Sequence, residues 1–184
     1  MRSLWIRGGQ FAALLAIFAA LAGCSTMDAD ECRAANWGSL GHADSSKGRE
    51  PEMASKRANA CAEHGFRIDM QAYQRGWAEG LKEFCTATGG QRFGDRGGSY
   101  QPGYCPRGDE SDFLAGYLPA YKSHQYRQRI DSLQRDINSK NSEIIRLQGK
   151  KDSNNDSKIS RLKGEVNMLY NQLNSERMRQ SMDR

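Results

Sequence analysis

From Lys122 onward the chain holds no proline, cysteine or tryptophan, and its apolar residues recur at heptad spacing. Ile130, Leu133, Ile137, Ile144 and Leu147 share one a/d register, with Lys140 as a polar intruder at d. Ile159, Leu162, Val166, Leu169 and Leu173 share a second. A helix carrying such a stripe buries it against another helix. The registers do not join, because Ile144 to Ile159 is 15 residues and not a whole number of heptads. Between them the stretch GKKDSNNDSK sets six turn-favouring residues in succession, Asp152 to Ser157. A polar break flanked by two arms predicts an antiparallel helical hairpin over 122–184, its turn near 150–157. The rival is one long helix that oligomerises in parallel.

The other end of the chain has the anatomy of an export signal. Arg2 and Arg7 precede the apolar run FAALLAIFAALA, and Leu21-Ala22-Gly23-Cys24 follows. The run is too short to cross a bilayer, which needs about 20 apolar residues. Small residues ahead of a cysteine resemble the bacterial lipobox, in which cleavage makes the cysteine the lipid-bearing N-terminus. Residues 1–23 are thus expected to be removed and Cys24 to carry acyl chains such as palmitate. Ser25 stands where lipoproteins kept at the inner membrane often carry Asp, so outer-membrane sorting is expected, with the protein facing the periplasm. Two or three chains would anchor durably where one would not.

That address gives the remaining cysteines a meaning. Cys32, Cys61, Cys85 and Cys105 are an even four in an oxidising compartment, the pattern of a disulfide framework. Between Asp28 and Gln101 the only Ile or Leu residues are Leu40, Ile68 and Leu81, and Val is absent. Staples are expected to replace core that this composition does not supply, each contributing about 3 kcal/mol. Four cysteines allow three pairings. Pairing in chain order closes the shortest loops, but the sequence leaves the choice open. No Cys-x-x-Cys occurs, which disfavours a redox dithiol. Cys61-Ala-Glu-His64 has ligand-like spacing, but His42 and His124 lie in unrelated contexts, so neither a metal nor a cofactor is expected.

The fold class read from these patterns is mainly α: a small disulfide-stapled helical domain over 32–121, then the coiled-coil hairpin. Residues 24–31 read as a polar tether. NWGSLGHADSSKG reads as a loop anchored by Trp37 and Leu40. Glu50-Pro51 opens a helix that Gly65 stops, its inward face carrying Met53, Ala60, Cys61 and His64. A clearer helix runs from about Asp69 to Ala87, with Tyr73, Trp77, Leu81 and Phe84 on one face. Gly76 and Gly80 lie on a neighbouring strip, where two costly glycines imply close approach of another segment or a binding groove. Tyr73, Gly76, Trp77, Gly80 and Leu81 are therefore the candidate packing or binding face. Residues 88–108 read as a glycine-rich loop clamped by Cys85 and Cys105. No strand precedes it and no Gly-Lys-Ser/Thr follows, so it is not a phosphate cradle. Asp112 opens a short helix bearing Phe113, Tyr117 and Tyr121, interrupted or restarted at Pro119.

Charge is uneven. From Cys24 to Tyr121 there are 11 Lys/Arg against 14 Asp/Glu, and from Lys122 onward 14 against 8. A basic rear segment on an exported protein meets little nucleic acid, which is not expected as a partner. Acidic envelope components are the available ones. For catalysis the candidate acids are Asp69, Glu79, Glu83 and Asp112, with His64 as base. Neither Gly-x-Ser-x-Gly nor His-Glu-x-x-His occurs, and no spacing fixes a pair of these groups.

Cys32, the Trp37 segment, Cys61, the run Tyr73-Gln-Arg-Gly76-Trp-Ala-Glu-Gly80-Leu81 with Cys85, and then Gly94, Tyr100 and Cys105-Pro106 together resemble a bacterial lipoprotein family, that of domain of unknown function 2799. The resemblance spans about Cys32 to Tyr121. Asn36 and Asp44-Ser45 depart from the Asp and Asp-Gly that such proteins tend to carry. The resemblance implies pairing in chain order, Cys32–Cys61 and Cys85–Cys105, and no activity. The expected function is a non-catalytic envelope lipoprotein, anchored in the membrane at Cys24. It presents residues 122–184 to a protein partner or to a second copy. The alternatives are a hydrolase of cell-wall material and a direct binder of anionic lipid or cell-wall polymer.

Overall fold

The computed structural model describes residues 27–150 and 155–183, so Cys24, the signal-like segment and positions 151–154 of the expected turn lie outside it. The described residues form helices only: α1 Ala29–Ala34, α2 Trp37–Ser46, α3 Met53–Glu63, α4 Met70–Phe84, α5 Ala87–Asp95, α6 Glu110–Gln148 and α7 Asn155–Met182. The disulfides are Cys32–Cys61 and Cys85–Cys105. The fold is the stapled helical domain and C-terminal hairpin that the sequence implies.

Side-chain caps set most of the helix starts. Asp28 and Glu31 form a reciprocal capping box on α1. Asn36, Asp69 and Thr86 accept backbone N–H bonds at the starts of α2, α4 and α5. Three of these elements differ from the expectation. The stretch after Asn36 is helix and not loop, as is Ala87–Asp95, and the polar tether is helical from Ala29 with Met27 buried behind it. Glycine-rich composition argues for loops, but here the glycines are what let two helix backbones touch.

That contact occurs twice, in the same form. A Cβ on Gly41 of α2 would lie 2.0 Å from the Tyr73 carbonyl oxygen of α4, and one on Gly76 would lie 1.8 Å from that of Gly38. A Cβ on Gly90 of α5 would lie 2.0 Å from the Phe113 carbonyl oxygen of α6, and one on Gly116 would lie 1.9 Å from that of Ala87. Gly41 thus answers to Gly90, Tyr73 to Phe113, Gly76 to Gly116 and Trp77 to Tyr117. The short helix of each pair ends on a glycine with positive φ, Gly48 and Gly97, the left-handed position after a helix end that glycine fills without strain. In each unit a cysteine before the short helix joins one before the long helix. The domain is two disulfide-stapled, glycine-packed helix pairs, α2 with α4 and α5 with α6.

The second long helix does not stop. α6 runs unbroken through Pro119, correcting the expected interruption, and the expected boundary between 121 and 122 falls inside it. Proline removes one i→i−4 bond and costs about 3 kcal/mol in a helix interior. Burial of Phe113 and Tyr117 before the proline and of Ala120 and Tyr126 after it holds the segment helical. α7 packs antiparallel on α6. Ile137, Ile144, Leu147, Leu162, Val166 and Leu173 form one buried cluster, with Ile130, Leu133, Ile159 and Leu169 packed against it. The two heptad registers are the two sides of this seam.

Candidate functional site

The candidate face on α4 resolves into packing. Gly76 and Gly80 are covered by the backbone of α2, and Tyr73 is buried. Trp77 and Leu81 are half-buried, Trp77 against Tyr104 at 6.2 Å between ring centroids. Tyr104 comes from the loop after α5 and donates its hydroxyl to the Arg49 carbonyl at 2.7 Å, tying the second unit to the first.

Beneath this face lies a polar cluster that sequence reasoning missed. Asp44 of α2 accepts two bonds from Arg57 of α3, at 2.7 and 2.9 Å, and one from the Tyr73 hydroxyl at 2.8 Å. Burial works to raise the Asp44 carboxyl. The bonds from Arg57 and Tyr73, with the charges of Arg57 and Arg49, outweigh it and hold the group below the usual carboxylate range. Burial and the Asp44 carboxylate push the Tyr73 hydroxyl well above its ordinary value. No buried side-chain polar atom of the cluster lacks a partner, which makes it a fastener for α2, α3 and α4. Reading residues 37–48 as loop hid it, since a loop fixes no facing partners.

The candidate catalytic groups do not converge. Asp69 caps α4, Glu79 holds Lys82, and Glu83 lies 3.1 Å from His42. Asp112 is exposed in the first turn of α6, and His64 is exposed at the end of α3. Among the described residues no three His, Cys, Asp or Glu side chains gather as a metal ion would need.

The hairpin sorts its charge by edge. On the g-position side, ion pairs step from helix to helix: Lys122–Asp183 and Arg129–Glu176 at 2.9 Å, Lys140–Glu165, and Lys158–Glu143 at 2.7 Å. Lys140, the intruder at d, is thus matched across the seam. Hydrogen bonds from Lys158 and Lys140 hold the Glu143 and Glu165 carboxyls below their ordinary range. Those from Tyr126 and Lys122 do the same for Asp183.

The opposite edge of α7 has no such ladder. Lys163, Asn167, Tyr170, Asn174 and Arg177 follow one another at spacings of four and three, so they form one stripe. All five are exposed, and among the described residues none of their side chains has a hydrogen-bond or ion-pair partner. The alternating spacing was present in the sequence, but net charge alone does not reveal which cations the ladder leaves over.

A family model described as "Protein of unknown function (DUF2799)" matches residues 36–122. No curated protein and no solved structure matches the chain.

Proposed function

Taking the stapled domain as a member of the DUF2799 family, we propose that this protein is a membrane-anchored envelope lipoprotein with a non-catalytic, interaction role. In this reading residues 1–23 are removed and Cys24 carries the lipid at the outer membrane, facing the periplasm. The stapled domain then holds out the basic hairpin to a partner.

The observation that supports it most is the continuity of α6. The helix that closes the second unit with Phe113 and Tyr117 is also the arm that carries Ile137 and Ile144 in the hairpin. An arm rooted in a core keeps its direction, where one on a linker samples all directions. The lipobox residues and the oxidised cysteines fit the same compartment.

Two measurements test the reading. Labelled palmitate should enter the wild-type chain in bacterial cells and be absent from Cys24→Ser. Photocrosslinkers along 128–183 should capture a defined envelope component, and deletion of 128–184 should abolish co-purification of that component with the tagged domain while both disulfides still form. Loss of co-purification with a misfolded domain is distinguished by the melting profile. Labelling independent of Cys24, or a phenotype unchanged by the deletion, overturns the reading.

A further inference from the structure

We infer that the face of the first unit carrying Met27, with the groove that opens beside it between α1 and α2, rests on the bilayer that holds Cys24. The inference deepens the proposed function, since it rests on Cys24 carrying the lipid and names the surface that meets the membrane.

The length of free chain carries it. The expected tether over 24–31 shrinks to three residues, because the fold takes hold at residue 27. Met27 is buried, its sulfur 4.0 Å from that of Cys61. Asp28 and Glu31 close their capping box immediately after it, and the Cys32–Cys61 bridge pins α1 to α3. Freeing more chain means breaking all three fastenings. Only Cys24, Ser25 and Thr26 then separate the lipid from the folded body, a reach of about 11 Å when fully extended. A body of roughly a hundred residues has a radius of gyration of about 13 Å. The link is shorter than that radius, so the domain has no room to turn another side to the membrane.

The surface at that point suits the position. A groove of about 370 Å³ opens beside Met27, with Ala34, Ala35 and Leu40 as the rest of its apolar lining. Its polar neighbours are engaged elsewhere. Asn36 caps α2 through the Ser39 N–H, Glu31 accepts from the Asp28 N–H, and Arg57 is held by Asp44. Apart from the Ser39 hydroxyl, the groove offers an occupant small apolar side chains, whose burial against acyl chains is favourable.

Charge does not add to the attraction. Asp28, Asp30 and Glu31 outnumber Arg33 on and beside α1, so an anionic bilayer does not draw this face in. The short link sets the contact, which distinguishes the surface from one that binds lipid head groups. Without its lipid the domain should leave the membrane.

Fluorescence quenching tests the inference with the lipidated mature chain in vesicles of phosphatidylethanolamine and phosphatidylglycerol. A dansyl amino acid at the exposed position 34 or 39 reports on the groove, and nitroxides on the lipid head groups quench it at short range. Strong quenching is expected at both positions. A Gly-Ser insert of about twelve residues between Thr26 and Met27 lengthens the link by about 20 Å and should remove most of it. The unlipidated mature chain with Cys24→Ser, added to the same vesicles, should show none. Non-reducing mass spectrometry should find both bridges in every variant, so that loss of quenching is not loss of fold.

Absence of quenching at 34 and 39 in the lipidated chain overturns the inference. So does quenching that the insert leaves unchanged, or that the unlipidated chain shares, since either would give the face an affinity of its own. If Cys24 takes labelled palmitate while the probes stay unquenched, the inference falls and the proposed function stands. If Cys24 takes no label, both fall.

Discussion

The two glycine-packed units share a backbone contact and differ in what fills the space beside it. Position 44 of the first unit answers to 93 of the second, and 73 answers to 113. The first unit puts Asp44 and the Tyr73 hydroxyl there, fastened to Arg57; the second puts Phe93 and Phe113, with ring centroids 6.2 Å apart. Phe113 also stacks with Tyr117 and packs at a tilt against Phe84 and Tyr100. One helix pair can thus be completed by a saturated ion pair or by aromatic rings. Glycine approach sets the geometry, and the neighbouring side chains set the chemistry of the core.

This comparison can be broken at several points. The largest effect is expected from Arg57→Met, which strands the Asp44 carboxylate at 5% side-chain exposure and should cost about 3–5 kcal/mol of stability. Denaturant unfolding reads it, and a loss below about 1 kcal/mol would mean that Asp44 is not held as described. Gly76→Ala and Gly116→Ala should each cost about 3 kcal/mol, because each new Cβ meets a carbonyl oxygen of the facing helix. Equal losses support the equivalence of the units, and tolerance of one alone removes it.

Acid should separate the units. Asp44 titrates below its unfolded value, so its contribution is present above an unfolded pKa of about 3.9 and is lost as pH falls through the lower folded value. Hydrogen exchange at low pH should therefore open α2 and α4 before α5 and the start of α6. In the second unit only the half-buried Glu110 is depressed, by the Gly103 N–H and the Tyr100 hydroxyl, and the hairpin carboxylates Glu143, Glu165 and Asp183 are depressed too, so a global melt does not replace this local measurement. The smallest effect is a gain. A Cβ added at Gly164 would meet nothing within 4 Å, and Gly164→Ala should raise hairpin stability by about 1 kcal/mol in the same denaturant assay.

The parts of this fold that follow local rules could be read from the sequence. Heptads placed the seam of α6 and α7, the apolar face of α4 and its Asp69 cap were visible, and the count of cysteines pointed to two bridges. What escaped depends on partners distant in the chain. Helices α2 and α5 look like loops because their glycines are poor helix formers, and only the facing backbone explains them. The repeat was hidden by unequal insertions: Gly41 to Gly90 is 49 positions, but Gly76 to Gly116 is 40. No single period therefore aligns both helices. Pro119 read as a break because the burial of its neighbours Tyr117 and Ala120 is a tertiary fact with no local signal. The stripe on α7 required knowing which cations the ladder consumes.

Double electron–electron resonance between nitroxides on unnatural residues at 88 and 148 tests the rigid arm most directly. Position 88 lies in α5 and 148 ends α6, so the distance spans Pro119 and reports whether the domain and hairpin are one body. A single narrow distribution, unchanged when labelled chains are diluted with unlabelled ones, is the expected result. A broad or two-peaked distribution would place a hinge at Pro119 and contradict the account of a hairpin held out by the stapled core.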